Sequence, residues 1–249
     1  MTPRRALSTA CALVLLTSLV ACSGDDEGDA GTLTVLAAAS LTDVYEELGQ
    51  TFEDEQGVEV EFSFGSSTDL AEQAADGAPG DVLSTADETS MQIAEDAGVT
   101  GEAVTFATNV LVLVTPPDNP AGIESLDDLA DATWVRCADD VPCGRAALGV
   151  LEANAITAEP ASLEEDVRAT LDKVISGEVE AGLVYATDAV AAGDGVATID
   201  IPGAEEQPTS YFAAPLEGAE DADLAQAWLD LLTSEAGQRA LTGAGFSLP

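Results

Sequence analysis

The sequence predicts an α/β protein of two lobes with mostly parallel sheets. Short apolar strands alternate with amphipathic helices from residue 33 towards the C-terminus. This alternation favours parallel sheets covered by helices. About 220 residues follow the N-terminal segment, which is more than a single hydrophobic core usually serves, so the length indicates two lobes.

The first elements show the pattern most clearly. Residues 33–38 form a short apolar strand, and residues 41–55 repeat apolar side chains at helical spacing. Residues 58–64 alternate apolar and polar side chains, which predicts a strand. A helix over 68–76 is expected to end at Gly77, because glycine readily adopts the left-handed conformation that closes a helix.

The remaining elements follow from the same signals. The apolar run within residues 106–116 predicts a buried strand that ends at two prolines, and residues 181–185 are predicted to be another strand. The other predicted strands cover 81–84, 133–136, 196–201 and 210–216, and the other predicted helices cover 88–97, 144–154, 164–176, 221–233 and 235–241.

The N-terminus resembles a lipoprotein export signal. Arg4 and Arg5 precede an apolar stretch that is too short to span a bilayer. The stretch ends in Leu-Val-Ala-Cys, so residues 1–21 are predicted to be a signal peptide and Cys22 a lipid anchor; the alternative is an ordinary signal peptide cut after small residues. Residues 22–32 are typical of an acidic tether. The chain is therefore expected at the extracytoplasmic face of the cell membrane.

The charge balance is strongly acidic. The chain has 47 acidic residues, 7 basic residues and no histidine, for a formal net charge of −40. Nucleic-acid binding is disfavoured, because it requires a basic surface. The near absence of lysine leads to the hypothesis of a surface adapted to a saline habitat.

The residue inventory argues against an enzyme. Without histidine, a Ser-His-Asp triad is impossible. The single lysine, Lys173, lies within a predicted helix on its polar face, which disfavours a Ser-Lys dyad. Neither a P-loop nor a Gly-x-Gly-x-x-Gly motif is present.

Besides the predicted lipid anchor, two cysteines remain after the export signal. Cys137 and Cys143 are separated by five residues. In an oxidising compartment such a pair is more often a disulfide than a metal site, and two thiolates without histidine are too few for zinc. The sequence predicts a disulfide between them.

Serines stand where two predicted strands run into helices. Ser40 follows the first strand, and Ser66 or Ser67 follows the second. The start of a helix presents unpaired N–H groups and the positive end of the helix dipole, so it favours anions. Two such starts indicate a site for a small oxyanion.

Six segments of the chain together resemble the molybdate-binding proteins of bacterial ABC importers. The resemblance runs from about residue 33 to the end, in the family's order of motifs. The segments are Ala-Ala-Ala-Ser-Leu at 37–41, Phe-Gly-Ser-Ser-Thr at 64–68, Gly-Ala-Pro-Gly-Asp-Val-Leu at 77–83, Val-Pro-Cys-Gly at 141–144, Glu-Asp-Val-Arg at 165–168 and Gly-Leu-Val-Tyr-Ala-Thr-Asp-Ala at 182–189.

The resemblance implies a periplasmic-binding-protein fold of the second type. Each lobe would hold a mixed, mostly parallel sheet flanked by helices, with a hinge of two strands between the lobes. The first lobe would comprise residues 32–108 plus 210–249, and the second residues 109–209. The protein would be a monomer that captures the anion in the inter-lobe cleft and hands it to a permease.

The resemblance also implies a ligand set for molybdate, and tungstate, without a cofactor or a direct metal ligand. The set comprises the hydroxyls of Ser40, Ser67 and Tyr185 and the backbone amides of Cys143 and Val167. The family often has alanine at the position of Cys143, a change that a backbone donor tolerates. The alternative ligand is another tetrahedral oxyanion, such as sulfate or phosphate.

The chemistry of the ligand agrees with this set. Molybdate is a full dianion at neutral pH and only accepts hydrogen bonds, whereas a protonated phosphate would require an acceptor in the pocket. Arg136, Arg145 and Arg168 are expected to form salt bridges in so acidic a chain. Trp134 and Trp228 are expected in the core.

Overall fold

The computed structural model describes residues 31–249. The predicted signal peptide, the lipid anchor at Cys22 and most of the tether lie outside the described residues. Within residues 31–249, no helix combines the length and the apolar character needed to cross a membrane.

The described part of the chain alternates strands and helices, as predicted. The strands are β1 (Thr32–Ala38), β2 (Glu59–Gly65), β3 (Val82–Thr85), β4 (Val104–Asn109), β5 (Leu111–Thr115), β6 (Trp134–Cys137), β7 (Ser162–Glu164), β8 (Ala181–Tyr185), β9 (Ala197–Asp200) and β10 (Thr209–Pro215). The α-helices are α1 (Thr42–Gln56), α2 (Ser67–Ala75), α3 (Glu88–Asp96), α4 (Pro142–Ala153), α5 (Val167–Ile175), α6 (Ala186–Ala192), α7 (Ala222–Thr233) and α8 (Glu235–Gly243).

The strands form two five-stranded mixed sheets. The first has the order β2-β1-β3-β10-β4 and the second β7-β6-β8-β5-β9. In each sheet four strands run in one direction and one strand, β10 or β5, runs against them. We call each sheet with its helices a lobe. The arrangement confirms the predicted α/β fold with mostly parallel strands.

The chain crosses between the sheets twice. It leaves the first sheet at the end of β4 and enters the second at β5, and it returns between β9 and β10. The predicted continuous strand over 106–116 is therefore wrong. It breaks at Val110, whose N–H donates to the Asn109 side chain at 3.0 Å, and the two halves pair in different sheets.

Each lobe buries its own apolar core. Trp228 lies at the centre of the first lobe, where its ring meets Tyr45 and Phe52 edge-on. Trp134 lies in the core of the second lobe. Both tryptophans are fully buried, as expected from the sequence.

One local prediction is corrected in the second lobe, and one helix there was not predicted. The helix predicted over 164–176 begins only at Val167, because Ser162–Glu164 pair with β6 as an edge strand and Asp166 caps the helix. Helix α6 was not predicted, since its alanine-rich sequence carries no apolar stripe at helical spacing.

Candidate functional site

All five predicted ligand residues line one small cavity between the lobes. The first lobe contributes Ser40 and Ser67, and the second contributes Cys143, Val167 and Tyr185. These residues lie far apart in the chain and meet because each stands at or beside a junction of strand or loop with helix.

The cavity suits a very small ligand. The space open to the centre of a water-sized sphere is about 20 Å³. One water needs ~10–15 Å³ by this measure. The cavity is therefore closer in size to a small inorganic ion than to an amino acid or a sugar.

Helix starts converge on the cavity. A 3-10 turn, Ala39–Leu41, follows β1, and α2 follows β2. From the second lobe, α4 presents Cys143 as its second residue and α5 presents Val167 as its first. The first amides of a helix have no intrahelical carbonyl to bond and lie at the positive end of the dipole. The cavity is therefore surrounded by donors suited to an anion.

The structure separates the roles of the two neighbouring serines. Ser66 caps α2 by accepting a hydrogen bond from the Asp69 N–H at 3.4 Å. Ser67 is buried, and its Oγ accepts from the Ala86 N–H at 3.0 Å. Because Oγ of Ser67 already accepts, its own proton is left to donate into the cavity.

Tyr185 supplies a buried hydroxyl without a partner. It ends β8 at 1% exposure, and its hydroxyl forms no hydrogen bond to any of the described residues. Burial raises the pKa of Tyr185 well above its ordinary value, so the phenol stays protonated. A buried hydroxyl normally finds a partner, and an anion in the cavity would provide one.

The disulfide lies next to the site. Cys137 and Cys143 are joined, with their Cα atoms 5.7 Å apart. The bond ties the end of β6 to the first turn of α4. Gly144 follows, and a Cβ there would lie 1.6 Å from the Ala138 carbonyl oxygen. Only glycine lets α4 start this close to the loop, which sets the position of the Cys143 amide.

No lysine or arginine is among the described residues that line the cavity. The one lining carboxylate is Asp166, whose Oδ1 accepts from the N–H groups of Arg168 and Ala169 at 2.8 and 2.9 Å. A bound anion would thus meet neutral donors rather than cationic side chains.

Two arginines flank the cavity and link the lobes. Arg145 of α4 reaches Asp87 of the first lobe at 2.7 Å and also donates to Ser90 at 2.9 Å. Arg168 of α5 pairs with Asp43 of α1. The predicted salt bridges are therefore present.

A third arginine pairs within the second lobe. Arg136 contacts Asp139 at 2.7 Å, as the sequence also predicted.

Sequence reasoning assigned no role to Asp188. This residue lies within one of the family-like segments, is fully buried and sits 2.8 Å from Nε of Arg168, although the N–H is not aligned for a hydrogen bond. Burial raises the pKa of Asp188 to about 7, against the opposing effect of the Arg168 charge. A lone aspartate in an alanine-rich segment gives no sequence signal of such burial.

The fold and the donor-lined cavity between two lobes define a binding protein for a small solute. The chain matches the family described as bacterial extracellular solute-binding protein over residues 33–247. It is 35% identical over 249 residues to the molybdate-binding protein ModA of Mycobacterium tuberculosis, with 95% of each chain covered. It is 32% identical to ModA of Escherichia coli, covering 92% of this chain and 93% of that protein.

Solved structures agree on the fold. The periplasmic molybdate-binding protein of Azotobacter vinelandii matches with a TM-score of 0.78 at 22% identity, covering 87% of this chain and 99% of that one. The sulfate-binding protein SubI of Mycobacterium tuberculosis matches with a TM-score of 0.74 at 18% identity, covering 87% and 86%.

The chain belongs to the bacterial extracellular solute-binding proteins, and within them to the ModA family. This membership confirms the resemblance of the six segments to the molybdate-binding proteins, and the solved structures confirm the two-lobed fold. It also confirms that the protein is a binding protein rather than an enzyme.

Proposed function

We propose that the protein captures molybdate, and tungstate as well, in the inter-lobe cavity and delivers the anion to an ABC permease. The donor set of the cavity carries this proposal. The hydroxyls of Ser40, Ser67 and Tyr185 and the amides of Cys143 and Val167 can all donate to an anion. A dianion that only accepts hydrogen bonds is the ligand that such a set fits.

The lack of a cationic lining does not oppose this proposal. The oxygens of the anion would be met by helix starts, which carry partial positive charge. The acidic surface acts weakly at the site, because charges more than ~8 Å away are largely screened at ~0.15 M salt. No cofactor takes part, since capture requires closure around the anion and no chemistry on it.

The lobes that close are proposed as residues 32–108 plus 210–249 and residues 109–209. The chain crosses between the sheets after Asn109, which ends β4, and before Thr209, which begins β10, so the crossings support a hinge within one residue of these boundaries. We further propose that residues 1–21 are removed on export and that lipidated Cys22 holds a monomer at the outer face of the membrane. Mass spectrometry of the exported protein tests this proposal. A diacylglycerol adduct on Cys22 is expected, whereas a mature protein that begins at another residue and carries no lipid would contradict it.

Isothermal titration tests the ligand. Molybdate, tungstate, sulfate and phosphate are titrated at fixed salt into the full-length chain in detergent micelles. Tight one-to-one binding of the first two without heat from the others is expected. If the protein binds sulfate or phosphate more tightly than molybdate, that anion is its ligand instead. If none of the four anions gives a binding heat, the proposed function is overturned.

A further inference from the structure

A row of buried hydrogen-bonding groups lies behind Ser40. The Ser40 Oγ is 2.8 Å from the Tyr211 hydroxyl, and the Asn109 Nδ2 is 3.3 Å from that same hydroxyl. Tyr211 belongs to β10 and Asn109 ends β4, so both side chains stand on neighbouring strands of the first sheet. All three residues are buried, and only Ser40 lines the cavity.

The orientation of the Asn109 amide follows from its other contacts. The Val110 N–H donates to Oδ1 of Asn109 at 3.0 Å, which identifies that end as the carbonyl. The NH₂ end therefore faces Thr187 Oγ1 at 2.8 Å and the Tyr211 hydroxyl. Since an NH₂ group only donates, the Tyr211 oxygen must accept from it.

This acceptance sets the direction of the remaining protons. Burial raises the pKa of Tyr211, so its hydroxyl keeps its proton. With Asn109 donating to the oxygen, the Tyr211 proton is directed to its other partner, Ser40 Oγ. Ser40 then accepts from Tyr211 and has its own proton left for the cavity.

We propose that Asn109 and Tyr211 are positioning residues that hold the Ser40 hydroxyl as a donor to the bound anion and thereby select fully ionised oxyanions over protonated ones. The proposal rests on the proposed function. We call the chain of hydrogen bonds from Asn109 through Tyr211 to Ser40 the relay. Without the relay, the Ser40 hydroxyl could rotate and accept the proton of an anion such as hydrogen phosphate. Sulfate is similar in size to phosphate but carries no proton at neutral pH. A comparison of sulfate with phosphate therefore separates the effect of protonation from that of size.

The test uses the full-length chain in detergent micelles, titrated with molybdate at neutral pH. Tyr211→Phe removes the hydroxyl that bonds Ser40 and keeps the ring, and we expect molybdate affinity to fall about 2- to 12-fold, the range for the loss of one hydrogen bond between neutral groups. Tyr45→Phe is the matched control. Tyr45 is a buried tyrosine of the same lobe, bonded to Ser84 at 2.9 Å and away from the cavity.

A double-mutant cycle tests whether Asn109 acts through Tyr211 or only by destabilising the surrounding lobe. Asn109→Ala is measured alone and together with Tyr211→Phe, and the effect of Asn109→Ala should shrink when Tyr211 has lost its hydroxyl. Competition of phosphate and of sulfate against molybdate is measured on the same variants, and Tyr211→Phe should strengthen phosphate relative to sulfate.

The outcomes separate the two proposals. A wild-type chain that fails to bind molybdate would overturn the proposed function, and the relay with it. If the wild type binds, then wild-type affinity in Tyr211→Phe, an equal loss in Tyr45→Phe, or independent effects in the cycle would overturn the relay alone. If the ratio of phosphate affinity to sulfate affinity is the same in Tyr211→Phe as in the wild type, the relay has no role in selecting ionised anions.

Discussion

With the proposed direction of the Tyr211–Ser40 hydrogen bond, the hydroxyls of Ser40, Ser67 and Tyr185 share one property: each keeps a proton that the surrounding protein does not take up. Ser67 accepts from the Ala86 amide, Ser40 bonds to Tyr211, and the Tyr185 hydroxyl has no partner among the described residues. Three such donors lie around one cavity, and a ligand in that cavity is their simplest shared acceptor.

Replacing Ser40 tests the first of these donors. Ser40→Ala should weaken molybdate binding by about 1.5–3 kcal/mol, because a hydrogen bond to a charged group is lost. Calorimetric titration measures the change. Ser234→Ala is the control, since Ser234 caps α8 by accepting from the Gly237 N–H at 3.1 Å, far from the cavity, and should lower stability without changing affinity. Equal affinities of Ser40→Ala and the wild type would contradict the assignment.

Asp188 should make stability depend on pH. Its folded pKa of about 7 lies above the value of ~3.9 expected in the unfolded chain. Between these values the folded state holds a proton that the unfolded state has lost, so the contribution of Asp188 to the free energy of unfolding falls as pH rises.

Denaturant unfolding of Asp188→Asn checks this dependence. From about pH 4 to about pH 7 the wild type should lose stability relative to the variant, which cannot titrate at this position. The partners of Asp188 are Arg168, which favours its charge, and Asp43, which opposes it. A stability difference that stays constant over this range would show that Asp188 remains ionised throughout.

At the scale of the elements, α4 and α5 each bring one amide of the proposed ligand set and one inter-lobe arginine to the site. Arg145 lies two residues after Cys143, and Arg168 follows Val167. Closure of the lobes would therefore bring the amides to the anion and the arginines to Asp87 and Asp43 in the same movement. The arginines would stabilise the closed state without touching the ligand.

Arg145→Met tests this coupling. Loss of the ion pair and of the bond to Ser90 should favour the open state and weaken molybdate binding several-fold, because the apparent affinity scales with the population of the closed state. Arg136→Met is the matched control, since Arg136 pairs with Asp139 in its own lobe. Small-angle scattering of the ligand-free chain should show a larger radius for Arg145→Met alone. Identical affinities and radii of the two variants would show that the inter-lobe contacts of Arg145 do not stabilise the closed state.

The elements also show how far the sequence predicts this fold. Strand 181–185 was predicted with the correct bounds, because an uninterrupted apolar run is a strong signal. The site residues were predicted from a family resemblance, and the structure brings all five together. The break of the strand at Val110 and the buried roles of Tyr211 and Asp188 depend on which sheet receives each segment, and a local pattern carries no such information.

The whole molecule carries a formal net charge of −40, and this charge has a predictable effect on stability. Its repulsion acts in the compact folded state more than in the expanded chain, so it destabilises the fold at low ionic strength. Added salt shortens the Debye length to ~3 Å at 1 M and removes most of this repulsion. Thermal unfolding of the full-length chain in detergent should therefore shift to higher temperature between 0.05 M and 1 M sodium chloride, as the saline hypothesis expects. The melting temperature is measured with and without saturating molybdate at both chloride concentrations. Molybdate should add its own stabilisation at either concentration, which distinguishes specific anion binding from the general effect of salt. A melting temperature that does not rise with salt would contradict the adaptation of this surface to a saline habitat and leave the binding site unaffected.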